Sequence, residues 1–345
     1  MRINSKTCAW LGILLMASWV ISCSTERPTV IEQQNLVWPS PPAQAKIRFV
    51  SLFSKPIDLG IERGFLQWIG DLFAGEETYR LVRPMSVVVT DSMKIYVADP
   101  GAKGVHRFDL KARKYQLITR QDDLILTSPV ALCLGPDNSV YVVDSELAQV
   151  FQIGDSADHA QRVLSSITFQ QPTGIAYHTR LKRIYISDTA LHQIKVISEK
   201  GILETTIGKR GSNEGEFNFP TYLWLDTRDK LLVTDSLNFR IQIFNTEGQY
   251  INTFGQQGDA SGNLARPKGV AADKNGHIYV VDALHNAIQI FNEEGNLLLP
   301  VGSQGHKAGE FWLPAGIFLT NNGEIYVADS HNQRVQILRY IEDSK

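Results

Sequence analysis

Cysteine, net charge and long apolar runs are scarce in this sequence, and each scarcity excludes something. Of the three cysteines, Cys8 and Cys23 lie near the N-terminus, so Cys133 has no partner for an internal disulfide and is expected to be a buried thiol. The formal net charge of −2 gives no overall attraction to polyanions, which argues against nucleic acid as a partner. The apolar run at residues 9–20 is shorter than the roughly 20 residues of a membrane-spanning helix.

Common catalytic signatures are also missing. The sequence contains neither the G-x-S-x-G turn that presents a nucleophilic serine nor the H-E-x-x-H motif that binds zinc. The apolar share of 43% and the charged share of 20% are those of an ordinary folded protein. The composition therefore predicts a globular chain without naming an activity.

One unit recurs from residue 84 to the end of the chain. Each copy begins with a proline and has an aspartate 15 or 16 residues later, at the end of a β-branched and aromatic run. Successive copies are 43 to 48 residues apart. The prolines are Pro84, Pro129, Pro172, Pro220, Pro267 and Pro314, and the aspartates are Asp99, Asp144, Asp188, Asp235, Asp282 and Asp329. Four short strands per copy at this period are typical of propeller blades.

The second strand of each copy is apolar on both faces. Residues 278–281, Ile-Tyr-Val-Val, are an example. A sheet with two apolar faces needs a neighbour on each side, and a closed ring supplies both. The sequence therefore predicts an all-β fold, a six-bladed β-propeller of four-stranded antiparallel blades.

The sixth copy is incomplete because few residues follow its third strand. Residues 46–53 alternate in a strand-like pattern, and an unpaired sheet edge is a liability that proteins avoid. We predict that this N-terminal strand completes blade six and closes the ring.

The N-terminus carries an export signal. A short basic stretch precedes the apolar run at residues 9–20, and Val20-Ile21-Ser22-Cys23 follows it. These four residues resemble the bacterial lipobox, which implies cleavage before Cys23 and lipidation of that cysteine. With Ser24 next, the resemblance favours the outer membrane, facing the periplasm.

The domain organisation follows from these elements. We predict a signal peptide at residues 1–22, the lipidated cysteine and a tether at 23–45, and the propeller at 46–340. An insertion at 56–82 contains apolar residues at helical spacing between 65 and 73. The helix either caps the propeller or exposes an apolar patch to a partner.

Several loops and strands repeat in more detail. The loops follow G-x-x-G…G-E-F…P, the second strands I-Y-V-x-D and the third strands R-I-Q-x-F, as at residues 233–244 and 327–337. These features resemble NHL repeats. The resemblance covers residues 46–340, is weaker in the first three blades, and implies a six-bladed propeller while saying little about activity.

The six aspartates are interpreted as structural, because short carboxylates accept backbone N–H bonds in turns. His192, His285 and His331 lie in the same turns at unequal offsets from the aspartates, so no metal cluster is expected. Some propeller enzymes place divalent-cation ligands where the first strands enter the central channel. The corresponding positions here hold no Asp, Glu or Asn, although a hard cation needs several oxygen ligands.

We therefore predict a non-enzymatic module that binds or scaffolds a protein or peptide, without a cofactor or bound metal. It would be anchored to the membrane through Cys23. The alternative is a hydrolase or lyase with a divalent cation in its channel. The candidate contact residues are Trp68, Phe217, His285, Trp312 and His331.

Overall fold

The computed structural model describes residues 36–62, 79–121 and 124–341. Within these ranges the chain forms six antiparallel sheets of four or five strands, and the first strand of each, at its inner edge, contacts those of its two neighbours. The first and last sheets also touch, so the ring is closed. The predicted six-bladed β-propeller is confirmed. The insertion helix predicted between residues 65 and 73 lies outside the described residues.

Blades one and two follow two N-terminal strands. A short hairpin, β7 and β8, separates the two blades. The strands are β1 (Val37–Trp38), β2 (Ile47–Phe53), β3 (Ser86–Val89), β4 (Lys94–Asp99), β5 (Gly104–Asp109), β6 (Lys114–Ile118), β7 (Arg120–Gln121), β8 (Leu124–Ile125), β9 (Pro129–Leu134), β10 (Val140–Asp144), β11 (Gln149–Ile153) and β12 (Gln161–Val163).

Blades three, four and five each consist of four consecutive strands. These are β13 (Pro172–His178), β14 (Arg183–Asp188), β15 (Gln193–Ser198), β16 (Leu203–Ile207), β17 (Pro220–Leu225), β18 (Lys230–Asp235), β19 (Arg240–Asn245), β20 (Tyr250–Phe254), β21 (Pro267–Ala272), β22 (Ile278–Asp282), β23 (Ala287–Phe291) and β24 (Leu297–Val301).

Blade six takes strands from both ends of the chain. A parallel pair precedes it, β25 (Ser303–Gln304) and β26 (Glu310–Phe311), and its own C-terminal strands are β27 (Ile317–Leu319), β28 (Glu324–Asp329) and β29 (Arg334–Tyr340). The sheet order is β1-β2-β29-β28-β27. Strand β2 pairs antiparallel with β29, with Phe53 opposite Val335. The predicted closure by an N-terminal strand is confirmed.

Pairing within the sheet begins earlier than residue 46. Strand β1 pairs with β2, and Lys46 donates its N–H to the carbonyl of Trp38 at 2.7 Å. A Cβ added to Gly309 would lie 2.8 Å from the Trp38 ring. Part of the predicted tether is therefore a hairpin strand whose tryptophan covers a loop of blade six.

Short 3-10 turns join some of these strands, at Pro56–Leu59, Pro136–Asn138, Thr189–Leu191, Ser236–Asn238 and Ser330–Asn332. The last three directly follow the recurring aspartates of blades three, four and six. Each of these three turns ends on a residue with positive φ, which reverses the chain into the third strand.

The core lies between adjacent blades. Strands β10 and β22 are buried along their whole length. Single clusters combine neighbouring sheets, such as Tyr185 of blade three with Leu223 and Val233 of blade four. Each aliphatic side chain buried this way contributes roughly 1.5–3 kcal/mol. Packing between sheets therefore holds the ring and fixes the loops at its two ends.

Candidate functional site

Six buried aspartates tie each blade to the loop that enters it. In blade five, Asp282 accepts N–H bonds from Ala265 at 2.7 Å and Arg266 at 3.0 Å, just before the first strand. Val82 and Arg83 donate to Asp99 in the same way. The sequence predicted N–H donors in the turn after the second strand. In the structure, N–H groups of the loop that enters the blade also donate to the aspartate. All six side chains are fully buried: Asp99, Asp144, Asp188, Asp235, Asp282 and Asp329.

An arginine reinforces this arrangement in blades four and six. Arg334 donates from Nε to Oδ2 of Asp329 at 2.8 Å. Its other N–H groups bond three carbonyl oxygens of the Gly-rich loop, those of His306, Lys307 and Glu310. Arg240 makes the equivalent contacts around Asp235 in blade four. A largely buried guanidinium that makes four hydrogen bonds holds the loop in one conformation.

The predicted contact residues have different environments. Trp312 is exposed and its ring lies between His306, at 5.0 Å, and His331, at 5.7 Å. His331 is also exposed. His285 belongs to the turn of blade five, where Nδ1 is 3.3 Å from Oδ2 of Asp282. The structure thus brings Trp312 and His331 together.

Of the two remaining predicted contact residues, Phe217 offers no surface to a partner. Phe217 is fully buried and packs against Phe244, with ring centroids 5.6 Å apart. A Cβ on Gly208 would lie 2.3 Å from the Phe217 ring, so this aromatic closes its own loop. Trp68 lies outside the described residues.

Four exposed apolar side chains lie on the aspartate-turn face, in blades four, five and six. Phe219 and Trp312 stand in entering loops, while Leu237 and Leu284 stand two residues after the aspartates of blades four and five. Their exposed fractions are 36%, 40%, 51% and 54%. We call these residues the apolar rim. Sequence reasoning missed three of them, although the offset of two residues from the aspartate, shared by Leu237, Leu284 and His331, was a usable signal.

Positive side chains gather at the channel opening on this face. Arg83, Arg266 and Lys268 line one cavity of about 300 Å³ together with His331. Burial, and then the neighbouring charge of Arg266, lowers the pKa of Lys268 below its ordinary value. We call this cavity and its three cations the cationic mouth. The sequence analysis missed it because the residues flank opening prolines of different blades.

The cavity is closed below by aromatic side chains. The hydroxyl of Tyr222, on blade four, donates to the carbonyl of Met85 on blade one at 3.2 Å. The Trp224 ring packs against Phe318 of blade six at 5.8 Å. Below the mouth, the first strands of all six blades line a smaller cavity of about 130 Å³. Cys133 lines that space, and burial raises the pKa of its thiol.

The donor set of the mouth suits an anion. Within residues 36–62, 79–121 and 124–341, no group of three or more His, Cys, Asp or Glu side chains could hold a metal ion. Arginine and lysine are donors without acceptor capacity, so they bind carboxylates and phosphates. In the same part of the chain, no helix has the length and hydrophobicity to cross a membrane.

The NHL repeat family model matches residues 264–291 and 311–338. The two matches fall in blades five and six, where the Gly-rich loop and the second and third strands follow the repeat pattern most closely. No curated protein matches the chain.

Several solved structures share the fold at low identity. A Bacteroides thetaiotaomicron protein of unknown function has a TM-score of 0.61 at 14% identity, covering 85% of this chain and 75% of that one. An auxiliary nutrient binding protein from the same organism has a TM-score of 0.59 at 11% identity, covering 75% and 69%. Catalytically inactive virginiamycin B lyase from Staphylococcus aureus, crystallised with quinupristin, has a TM-score of 0.56 at 15% identity, covering 76% and 96%. At these identities the likeness concerns the fold alone.

Proposed function

Because this chain contains NHL repeats and folds as a six-bladed β-propeller, we propose that it is a binding module for a protein or peptide. The partner contacts the aspartate-turn face, over blades four, five, six and one. The observation that carries the proposal is the apolar rim on the same face as the cationic mouth. Large side chains exposed together around a cavity are typical of interaction sites.

The face is also rigid enough to recognise a partner without large rearrangement. The entering loops are bonded to buried aspartates, and Arg240 and Arg334 hold the loops of blades four and six. Phe219 is fixed by His192, whose Nδ1 accepts the Phe219 N–H at 3.1 Å. Less conformational entropy is therefore lost when a partner binds.

The alternative function is a hydrolase or lyase with a divalent cation in the channel. One of the structural neighbours is a lyase. However, the three cationic side chains at the mouth repel a divalent metal ion and supply no oxygen ligand for it. Metal analysis of the purified protein separates the two functions. A divalent cation held at one per chain through gel filtration would favour the enzyme.

Introducing negative charge into the apolar rim tests the binding function. In vivo crosslinking is expected to capture a partner with the wild-type chain and to lose it with Leu284→Asp and Leu237→Asp. Leu298→Asp is the matched control, because Leu298 is 50% exposed on the outer strand β24. Equal capture by all of these variants would contradict a partner on the aspartate-turn face.

We further propose that the protein is an exported lipoprotein, cleaved before Cys23 and held on the outer membrane facing the periplasm. The support is the leader at residues 1–22 and the lipobox-like sequence that ends in Cys23. Intact mass spectrometry of the membrane fraction should find a lipid-modified N-terminal cysteine, and Cys23→Ala should abolish that species. An unmodified mature N-terminus would contradict the anchor.

A further inference from the structure

We propose that the cationic mouth captures a carboxylate carried on an apolar residue, as the C-terminus of a peptide presents it. The proposal rests on the binding function above for its partner, and it names the part of the partner that enters the ring. Its ligand is defined by the cations, the apolar wall and the closed floor of the cavity.

In the part of the chain that the structure describes, the three cations of the mouth are not paired with a carboxylate. Among the residues that the structure describes, Arg83, Arg266 and Lys268 form no ion pair, whereas Arg240 and Arg334 each bind a buried carboxylate. The recurring aspartates of blades one and five accept hydrogen bonds from backbone N–H groups. Asp282, for example, accepts N–H bonds from Arg266, Leu284 and His285 at 3.0 to 3.3 Å. Like charges gathered around one cavity repel each other unless an anion enters.

The positive charge occupies one side of the ring. Arg83 stands before the opening proline of blade one, and Arg266 and Lys268 flank that of blade five. Blade six lies between them and adds His331. At the positions that flank the other opening prolines, blades two, three and four have uncharged residues: Ser128, Val130, Gln171, Thr173, Phe219 and Thr221. An anion is therefore drawn toward blades five, six and one rather than to the channel axis.

Much of the remaining wall is apolar, with Ser128 and Ser330 as its polar residues. Val130, Ala283, Leu313 and Pro314 line the same cavity as the cations. A bare inorganic anion would use the charges and leave these surfaces in contact with water. A carboxylate on a residue with an aliphatic side chain uses both the cations and the apolar wall, since charged hydrogen bonds and apolar contact then occur in one ligand.

The closed floor favours a chain end over a chain that passes through. The bond from Tyr222 to Met85 spans the channel beneath the mouth, and the aromatic pair of Trp224 and Phe318 lies close by. A peptide entering from the aspartate-turn face must therefore stop in the cavity. Its remaining residues would leave over the apolar rim, where Leu284 and Trp312 are exposed.

The test uses acetylated tripeptides that end in leucine, valine or phenylalanine, each as the free acid and as the amide. Binding to the full chain in detergent is measured by titration calorimetry at fixed ionic strength. At least one free acid is expected to bind about tenfold or more tightly than its amide, because a hydrogen bond to a charged group is lost in the amide. An amide with an internal aspartate distinguishes a side-chain carboxylate from a C-terminal one. Inorganic phosphate is titrated in parallel.

Variants connect the effect to the mouth. Lys268→Met and Arg266→Met should each weaken binding of the free acid by about tenfold, while Lys111→Met, a change at an exposed lysine of blade one, should leave it unchanged. Arg266 is exposed, so its variant serves even if Lys268→Met misfolds.

Three outcomes would overturn the proposal. They are equal binding of acids and amides, no binding of any free acid, and phosphate binding as tight as that of the best acid. Preferential binding of the internal aspartate would overturn the assignment to a chain terminus. Free-acid binding without any captured partner would count against the proposed function and leave the carboxylate site standing.

Discussion

Replacing Arg334 with methionine removes a guanidinium that four hydrogen bonds hold inside blade six. Methionine keeps much of the apolar stem and loses every donor. Asp329 then retains the N–H of Trp312 and the side-chain amides of Asn332 and Gln336. The carboxylate stays partly compensated, whereas the carbonyl oxygens of the Gly-rich loop lose the donors that Arg334 supplied.

The expected loss of stability follows from this geometry. Removing one partner of a buried ion pair costs about 3–5 kcal/mol. The donors that remain on Asp329 place Arg334→Met at the lower end, at about 3 kcal/mol. With an unfolding entropy of about 2.1 cal/mol/K per residue over a ring of roughly 300 residues, the melting temperature should fall by about 5 °C.

Differential scanning calorimetry measures this change, and the chain supplies two matched comparisons. Arg240→Met removes the equivalent contacts in blade four and should give a similar shift. Arg183→Met breaks a partly exposed pair with Glu204, so it should cost less than about 1 kcal/mol. If Arg334→Met cost no more than Arg183→Met, the buried arginine would not hold the loop.

Ring closure, backbone spacing and one ion pair give three further expectations. A chain beginning at Ser54 lacks β1 and β2 and should show no cooperative melting transition, and a synthetic peptide of residues 36–53 should restore the transition. A normal transition without the peptide would contradict closure by β2. Gly174→Ala should destabilise the ring by about 1–3 kcal/mol in urea unfolding, because the added Cβ would lie 1.9 Å from the carbonyl oxygen of Thr221. Gly154→Ala is the control, since the nearest atom to its added Cβ, the Cβ of Ala157, would be 3.5 Å away. The hydrogen bond to Asp273 raises the pKa of His277, and His277 lowers the pKa of Asp273 although burial opposes it. The stabilising effect of the pair should therefore be full just below the ordinary histidine pKa of about 6.5, and it should be lost as pH rises through the raised pKa of His277. In acid, the effect should also be lost as pH falls through the lowered pKa of Asp273. Urea unfolding of wild type and His277→Gln across pH tests this, and a stability difference that does not change with pH would refute it.

The fold was predictable because its landmarks are local and repeated. The opening prolines and buried aspartates recur with one spacing, and strands such as Ile278–Asp282 have apolar residues on both faces. A missing fourth strand in blade six then pointed to residues 46–53. These features depend on pairing between neighbours along the chain, which a sequence period reveals directly.

The candidate site was less predictable because its residues meet only after the ring closes. Arg83 and Arg266 are 183 residues apart in sequence, and nothing local relates them. Phe217 shows a second difficulty. The aromatic of a Gly-Glu-Phe loop can point outward or into its own loop, and it is buried here because Gly208 leaves room for the ring. Side-chain direction in an irregular loop has no periodic signal.

The mouth can change its chemistry without a cost in stability, because its loops are held by backbone groups. Arg83 and Arg266 contribute their N–H groups to Asp99 and Asp282, while both side chains are exposed. A substitution there keeps the bond and changes the charge. Arg83→Gln and Arg266→Gln should therefore unfold within about 0.5 kcal/mol of wild type while weakening binding of the free-acid peptides. Asp282→Asn should instead lower the free energy of unfolding. An amide in place of the carboxylate offers one acceptor oxygen instead of two to the backbone donors. If the arginine variants melted as early as Asp282→Asn, the side chains and not the backbone would be holding the loops.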